Sequence, residues 1–462
     1  MEKKKKFKLF DAILATVCIT LVVESTMPTA AVGNSQYFWW LLLLIAFCLP
    51  YGMISAELST AYPSEAGMYD WVKRAFGKKW AGRVAWNYWI NFPLWIASLA
   101  TAVTTVIAGL FEVELAWWVV ILIQLAYIWL TTFLGTKRVG ESKYIVNLGT
   151  FFKVLVLGTL GILGFVYLAK NGSENPITSF SDLLPDLSLN IDSGLPFISI
   201  IIFNFLGFEV VGSFVGDMDN PKKDIPKALI IGGIIMAIFY ILPATAFNIV
   251  LGGSSVDPED MVQVFQGIFG AVGLGGTALK VAVYAFGFML IYTFIANISS
   301  WSFGVDEVAK YAADDGSMPK AFKGTNKEGV ASNASIMNGI VASIISVSGV
   351  VVAEFFTDFS DAFSLFFCLS WITLLLGYTP MFLAFLKLRK TDPNTERPCR
   401  VPGGKVAEKV LAIVPFVFLV LGIIFTIFGD FSVEYLQDNI PLLVGVGLSL
   451  LIQEILVFRI KK

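Results

Sequence analysis

The hydrophobic residues of this chain are gathered into runs of roughly 20, each enough to cross ~30 Å of hydrocarbon as a helix. Twelve such runs recur, at about 9–32, 38–60, 80–111, 115–133, 144–168, 194–215, 228–251, 275–303, 334–352, 362–386, 406–428 and 440–458. The third and eighth are longer than a bilayer needs and are expected to tilt. The loops between them are short. The longest polar stretches, 171–192 and 306–335, leave no room for a soluble domain. The pattern predicts an all-α, multi-pass membrane protein of twelve spans.

Charge fixes the direction of threading. Basic residues cluster at the N-terminus and then in every second loop, for example Lys73/Arg74/Lys78/Lys79/Arg83 and Lys222/Lys223/Lys227. With twelve spans, all of the 33 Lys and Arg except Lys153, Lys170 and Lys280 fall on one side. The opposite loops carry acids such as Glu112, Asp182 and Asp257. Positive charge stays inside, so both termini are expected in the cytoplasm of a bacterial cell. An odd number of spans would break this alternation. Lys3 to Lys8 precede an apolar run long enough to span, so it reads as a helix and not as a secretory signal.

Composition narrows the chemistry. The chain is 56% hydrophobic and 15% charged, against about 25% charged in soluble domains. Histidine is absent and the four cysteines are scattered, which disfavours zinc, iron and disulfide frameworks. There is no GxSxG, HExxH or P-loop, and no filter repeat of the kind a selective channel needs. An enzyme, a metal or cofactor protein and a nucleic-acid binder are therefore not expected.

Against that background the first span stands out. It reads Leu21-Val22-Val23-Glu24-Ser25-Thr26-Met27-Pro28. A charge at the centre of a membrane helix costs about 2.5–3.5 kcal/mol on insertion scales, and Pro28 cannot bond back to the carbonyl of Glu24. A kinked helix with Glu24 paired to a buried base would account for this. So would a binding site for a cationic solute, which is the reading adopted. The sixth span carries a matching interruption, Phe203-Asn204-Phe205-Leu206-Gly207-Phe208-Glu209. Breaks in the first and sixth spans are the mark of an inverted repeat of five helices, whose half-helix ends build a site at the midplane.

Three further stretches carry a resemblance. Glu57-Leu58-Ser59-Thr60-Ala61-Tyr62-Pro63-Ser64-Glu65-Ala66-Gly67, Gly207-Phe208-Glu209 followed by Asn220-Pro221-Lys222-Lys223, and Ala312-Ala313-Asp314-Asp315-Gly316 resemble signatures of the amino acid–polyamine–organocation transporters. The resemblance covers essentially the whole chain. It implies a LeuT-like core of 5+5 helices with broken helices 1 and 6, plus two C-terminal helices. The corresponding division is 1–170, 171–390 and 391–462. It also implies alternating-access transport with no cofactor, by a monomer or homodimer embedded in membrane lipid.

Carried over residue by residue, the resemblance marks Phe203 as the aromatic that closes over substrate and Trp301 as a platform for cationic side chains. Cation–π contacts of this kind contribute about 0.5–2 kcal/mol each. Glu209 resembles the family's gating acid. Lys153 resembles the lysine that takes the place of sodium in sodium-independent members. Alternatives remain: Trp301 as an interfacial residue, Lys153 as a snorkelling one, Gly207 as a packing contact and Glu209 as half of an ion pair.

One departure shapes the substrate reading. Amino acid carriers of this family hold the substrate carboxylate on bare N–H groups of a Gly-rich first break, whereas this chain has Val22, Val23, Glu24 and Ser25 there. At ~4 Å and an effective dielectric of about 20, Glu24 would repel a carboxylate by about 4 kcal/mol. The expected substrate is a small amine of the agmatine/putrescine kind, exchanged without sodium, with Glu24, Ser25, Phe203, Asn204, Glu209 and Trp301 at the site. Phe203, Glu209 and Lys153 are expected to serve gating and coupling. An amino acid/amine or amino acid/amino acid antiporter is the alternative, with Asn204 receiving the carboxylate. A solute sensor that does not transport is a third reading.

Overall fold

The computed structural model describes residues 20–30, 32–64, 66–137, 143–185, 198–207, 221–252, 260–355, 362–429 and 431–460. These form helices and loops, with no strand among them. In chain order the helices are α1 (Thr26–Ala30), α2 (Gly33–Ala61), α3 (Met68–Phe76), α4 (Lys78–Phe111), α5 (Trp117–Gly135), α6 (Lys143–Asn171), α7 (Ile198–Asn204) and α8 (Pro221–Leu251). Then come α9 (Met261–Ala271), α10 (Gly276–Asp314), α11 (Ser332–Phe355), α12 (Ala362–Thr391), α13 (Gly404–Phe428), α14 (Val433–Asp438) and α15 (Ile440–Phe458).

Ten of these helices are long and apolar enough to cross a membrane, and each coincides with one of the expected runs. The other two runs, 9–32 and 194–215, are the interrupted ones. Their described parts are short: a tight turn Val23–Ser25 leading into α1, and α7. The LeuT-like all-α architecture is the one the sequence implied. Several helices outrun their hydropathy. α10 continues past 303 to Asp314 because Val305, Ala309, Ala312 and Ala313 keep one face buried while Glu307, Lys310 and Asp314 lie toward the other. The short helices α3 and α9 were not expected, since neither is long enough to span. An Asp70–Arg74 pair at 2.8 Å braces α3, and the Asp260 side chain caps α9 by accepting from Gln263 N at 2.8 Å.

The centre of the bundle is α4, with α12 along one side and α10 along another; α6 lies against α8, and α5 against α11. Small residues let backbones approach where lipid offers no hydrophobic drive. A Cβ on Gly164 of α6 would stand 2.4 Å from the Cβ of Ala246 on α8. α13 and α15 pack on the outside, against α12 among others. Large aliphatics such as Ile344 and Leu451 point outward, as a hydrocarbon solvent allows for helices that satisfy their own backbones.

Candidate functional site

The first break lies before Glu24 and not at the proline. Val22 is extended (φ −112°, ψ 110°), Val23–Ser25 form one tight turn, and Thr26–Ala30 are helical through Pro28. A proline in the first turn of a helix loses no bond, because its N–H would be unpartnered there anyway. Pro28 therefore starts the outer half-helix instead of breaking the span. The sequence holds no glycine here, and the unwound backbone is satisfied by side chains. The Tyr240 hydroxyl on α8 accepts from Val22 N at 2.8 Å and donates to Thr20 O at 2.7 Å. Ser25 Oγ donates to Val22 O at 2.8 Å and Thr26 Oγ1 to Val23 O at 2.7 Å. Ser25, an expected substrate ligand, thus spends its proton on the turn itself.

The sixth-span break follows α7. Gly207 has φ +106°, a left-handed conformation that L side chains rarely adopt and that glycine reaches without strain. Its N–H donates to the Tyr51 hydroxyl at 3.2 Å. A Cβ there would stand 2.8 Å from Thr20 Cγ2 and 3.2 Å from the Trp301 ring. Backbone conformation and close packing both require this glycine, and the two breaks meet at it. Glu209 lies outside the described residues.

Glu24 is buried beneath an aromatic group. Its Oε1 accepts from Trp95 Nε1 on α4 at 3.0 Å. The Trp95 ring meets Phe203 edge-to-face at 6.3 Å and Trp301 at 5.9 Å, and Phe203 meets Phe367 of α12 at 5.7 Å. Asn204 is 0% exposed, and neither its amide oxygen nor its nitrogen has a hydrogen-bond partner among the described residues. The Tyr127 hydroxyl on α5, in electrostatic range of Glu24, is likewise unpartnered among them. The cluster offers one carboxylate, several ring faces and unused polar atoms on an amide and a phenol. A compact cation with a short apolar body matches that set.

Lys153 does not snorkel. It is 1% exposed, and its ammonium donates to Asn297 Oδ1 at 2.7 Å, one helical turn before Trp301 on α10. It also lies in electrostatic range of Glu24. Glu24, Phe203, Asn204, Lys153 and Trp301 therefore belong to the paired breaks and the helices that line them. Trp301 is buried in the bundle and is no interfacial belt residue. Sequence reasoning missed Trp95, Tyr127 and Tyr240. Trp95 is one of four tryptophans on α4 and carries no charge, so nothing singled it out. Tyr240 had a weak signal, since a phenol inside an apolar run needs a partner.

Comparison with known proteins places this geometry in a family. The sequence profile described as amino acid permease matches residues 7–450. The chain is 40% identical to a probable agmatine/putrescine antiporter of Lactococcus lactis, over 99% of this chain and 95% of that one. It is 26% identical to a probable polyamine transporter of Arabidopsis thaliana, over 89% of this chain and 81% of that one. Among solved structures, a manganese transporter of Eremococcus coleocola superposes with a TM-score of 0.58 at 14% identity, covering 99% of this chain and 97% of that one. At that identity the likeness concerns the fold alone. The profile match and the bacterial relative together show that this chain belongs to the amino acid permease family of the amino acid–polyamine–organocation transporters.

Proposed function

We propose that the chain is a sodium-independent exchanger of small cationic amines of the agmatine/putrescine class, working by alternating access across the cytoplasmic membrane. The observation that carries this reading is the first break. Where a carboxylate-binding site would offer free backbone N–H groups, Val22 N–H is engaged by Tyr240 and Glu24 stands in an aromatic surround. A half-helix N-terminus favours anions, but here a fixed carboxylate occupies the same place. The amine of the substrate would pair with Glu24 while Phe203 and Trp301 lie against its alkyl body. The buried Lys153–Asn297 pair supplies a fixed ammonium and supports transport without Na⁺. The name of the bacterial relative points to the same substrates. The basic bias of alternate loops supports cytoplasmic termini, and the paired breaks support halves at 1–170 and 171–390 that rock about the site.

Counterflow in proteoliposomes tests the proposal. Vesicles preloaded with putrescine should take up labelled agmatine equally well in Na⁺, K⁺ or choline media, while amino acids bearing a carboxylate compete weakly. Equal counterflow with a zwitterionic amino acid would sink the amine reading, and steep Na⁺ dependence would sink the role of Lys153. The second reading, amino acid/amine antiport, is favoured by the unpartnered Asn204 amide, whose Nδ2 could receive a carboxylate. It predicts that Asn204→Leu abolishes only the amino acid arm.

A further inference from the structure

A second buried carboxylate lies on α10, five positions beyond Trp301, and nothing in the amine site uses it. Asp306 is 1% exposed. Its Oδ2 accepts from Ser335 Oγ at 2.5 Å and its Oδ1 from Asn338 Nδ2 at 2.6 Å, both on α11. Beside it is a cavity of about 10 Å³, walled by Asp306, Ser302, Ser335, Asn338 and Thr132 among others. A space of roughly 10–15 Å³ holds one water-sized species. Two acceptors on that wall are buried and unpartnered among the described residues: Asn338 Oδ1 and Thr132 Oγ1. Two glycines keep the space open. A Cβ on Gly135 would stand 2.7 Å from Ser302 Oγ, and one on Gly339 2.5 Å from Thr132 Oγ1.

We propose that Asp306 is a proton-loading site, distinct from the amine site at Glu24. If the cluster served only to hold α5, α10 and α11 together, neutral Ser, Thr and Asn would suffice, and a buried charge would add cost without gain. A metal ion fits poorly. Each carboxylate oxygen already accepts from a side chain, and no group of three or more His, Cys, Asp or Glu is found among the described residues. A proton needs only one new acceptor, and the wall provides two. In the reaction one O–H bond of a hydronium ion breaks as an O–H bond forms on one carboxylate oxygen, and water is released.

Few other charges bear on the site. α5 carries none and its one titratable side chain is Tyr127, α11 has only Glu354 near its far end, and α4 presents Phe92 and Ile96. On α10 itself Glu307 is adjacent, with Lys310 at 3.6 Å from it. The protonation state of Asp306 is therefore set first by its burial, then by the hydrogen bonds from Ser335 and Asn338 and by Glu307.

Infrared difference spectra of the purified full-length protein, titrated with pH, read the proton directly. Wild type should show a carboxylic-acid carbonyl band that titrates, that persists in Glu24→Gln and that is missing in Asp306→Asn. Superimposable spectra for wild type and Asp306→Asn would overturn the proposal, as would a shift of the band with NaCl at fixed pH. Should Asp306→Asn fail to fold, Ser335→Ala serves. It removes a donor to the ionised form, so the midpoint must rise, and an unmoved midpoint counts against the site. Coupling to transport rests on the exchange function proposed above and is read separately. Asp306→Asn should still exchange amines, with a pH profile flatter than wild type, and an unchanged profile removes the coupling. Failure of the wild type to exchange amines would strike the transport reading and leave the infrared result intact.

Discussion

Two glutamates in this molecule are equally buried, at 1% exposure each, and they are held in opposite ways. Glu57, near the C-terminal end of α2, is saturated by fixed groups. Arg389 of α12 reaches it through Nε at 2.7 Å and through a second guanidinium nitrogen, Arg397 Nε stands 3.1 Å away, and Val401 N donates at 2.7 Å. Arg389 also contacts Glu408 on α13. Glu24 receives the Trp95 N–H, with Lys153 in electrostatic range but bonded to Asn297. A carboxylate whose lone pairs are filled by two guanidiniums is a clamp joining α2, α12 and the segment after α12. A carboxylate given one neutral side-chain donor and surrounded by rings can take a cation that arrives and leaves. Burial alone does not separate the two; the partners do.

The largest expected effect breaks the clamp. Glu57→Gln leaves two buried guanidiniums facing a neutral amide, and removing one partner of a buried pair costs about 3–5 kcal/mol. The melting temperature of the purified protein should fall steeply, while whatever remains folded should bind amine with unchanged affinity. A stable Glu57→Gln protein with lost amine binding would reverse the roles assigned to the two glutamates.

Glu24→Gln comes next. The Gln oxygen can still accept from Trp95, so stability should hold. A dicationic amine should lose about 2–5 kcal/mol, which is roughly thirtyfold to several-thousandfold in affinity. Zwitterionic amino acids, no longer repelled, should compete better than against wild type. Binding of putrescine, agmatine and an amino acid panel, measured beside the melting temperature, checks this. Uniform weakening of every substrate together with a lower melting temperature would make Glu24 a structural residue like Glu57.

What the sequence revealed follows the same divide. Spans, paired breaks and several residues of the candidate site were legible, the last two because they violate a rule of the hydrocarbon solvent: Glu24 and Lys153 are charges at depth, and Gly207 interrupts a helix. The first break lies at Val22–Ser25, where the resemblance put it, but what holds it open was not legible: Pro28 is visible in sequence, whereas Tyr240, more than 200 residues away and supplying both hydrogen bonds, is not. Glu57 belonged to a recognisable signature, yet its clamp depends on Arg389 and Arg397, which look like ordinary basic loop residues. Trp95 was invisible because an indole is at home in an apolar run, and only its distance to Glu24 gives it a role.

Trp95 can therefore sharpen the comparison. Trp95→Phe keeps a ring edge toward Phe203 and Trp301 but removes the N–H. A hydrogen bond to a charged group contributes about 1.5–3 kcal/mol. If the N–H positions Glu24 for the substrate, amine affinity should drop within that range, and the loss should largely disappear in the Glu24→Gln background. Additive losses would mean that Trp95 acts through packing.

The smallest effect expected on substrate selection concerns Tyr240, and it bears on why the site should refuse carboxylates at all. Two features oppose an α-carboxylate at the first break: the charge of Glu24 and the engagement of Val22 N–H by the Tyr240 hydroxyl. Tyr240→Phe keeps the ring stacked on Trp40, at 5.3 Å with 16° between planes, and removes only the oxygen. Val22 N–H then loses the Tyr240 oxygen, and a buried group left unsatisfied costs about 1–3 kcal/mol of stability. A substrate carboxylate would recover part of that by accepting from Val22 N–H. In the single variant Glu24 still repels it, so amino acid competition should rise by no more than about tenfold, or ~1.4 kcal/mol. In Glu24→Gln/Tyr240→Phe both barriers are gone, and competition should exceed the sum of the two single effects. If the double variant only matches Glu24→Gln, the Tyr240 bond serves the turn alone and the charge of Glu24 is the main discriminator between amines and amino acids.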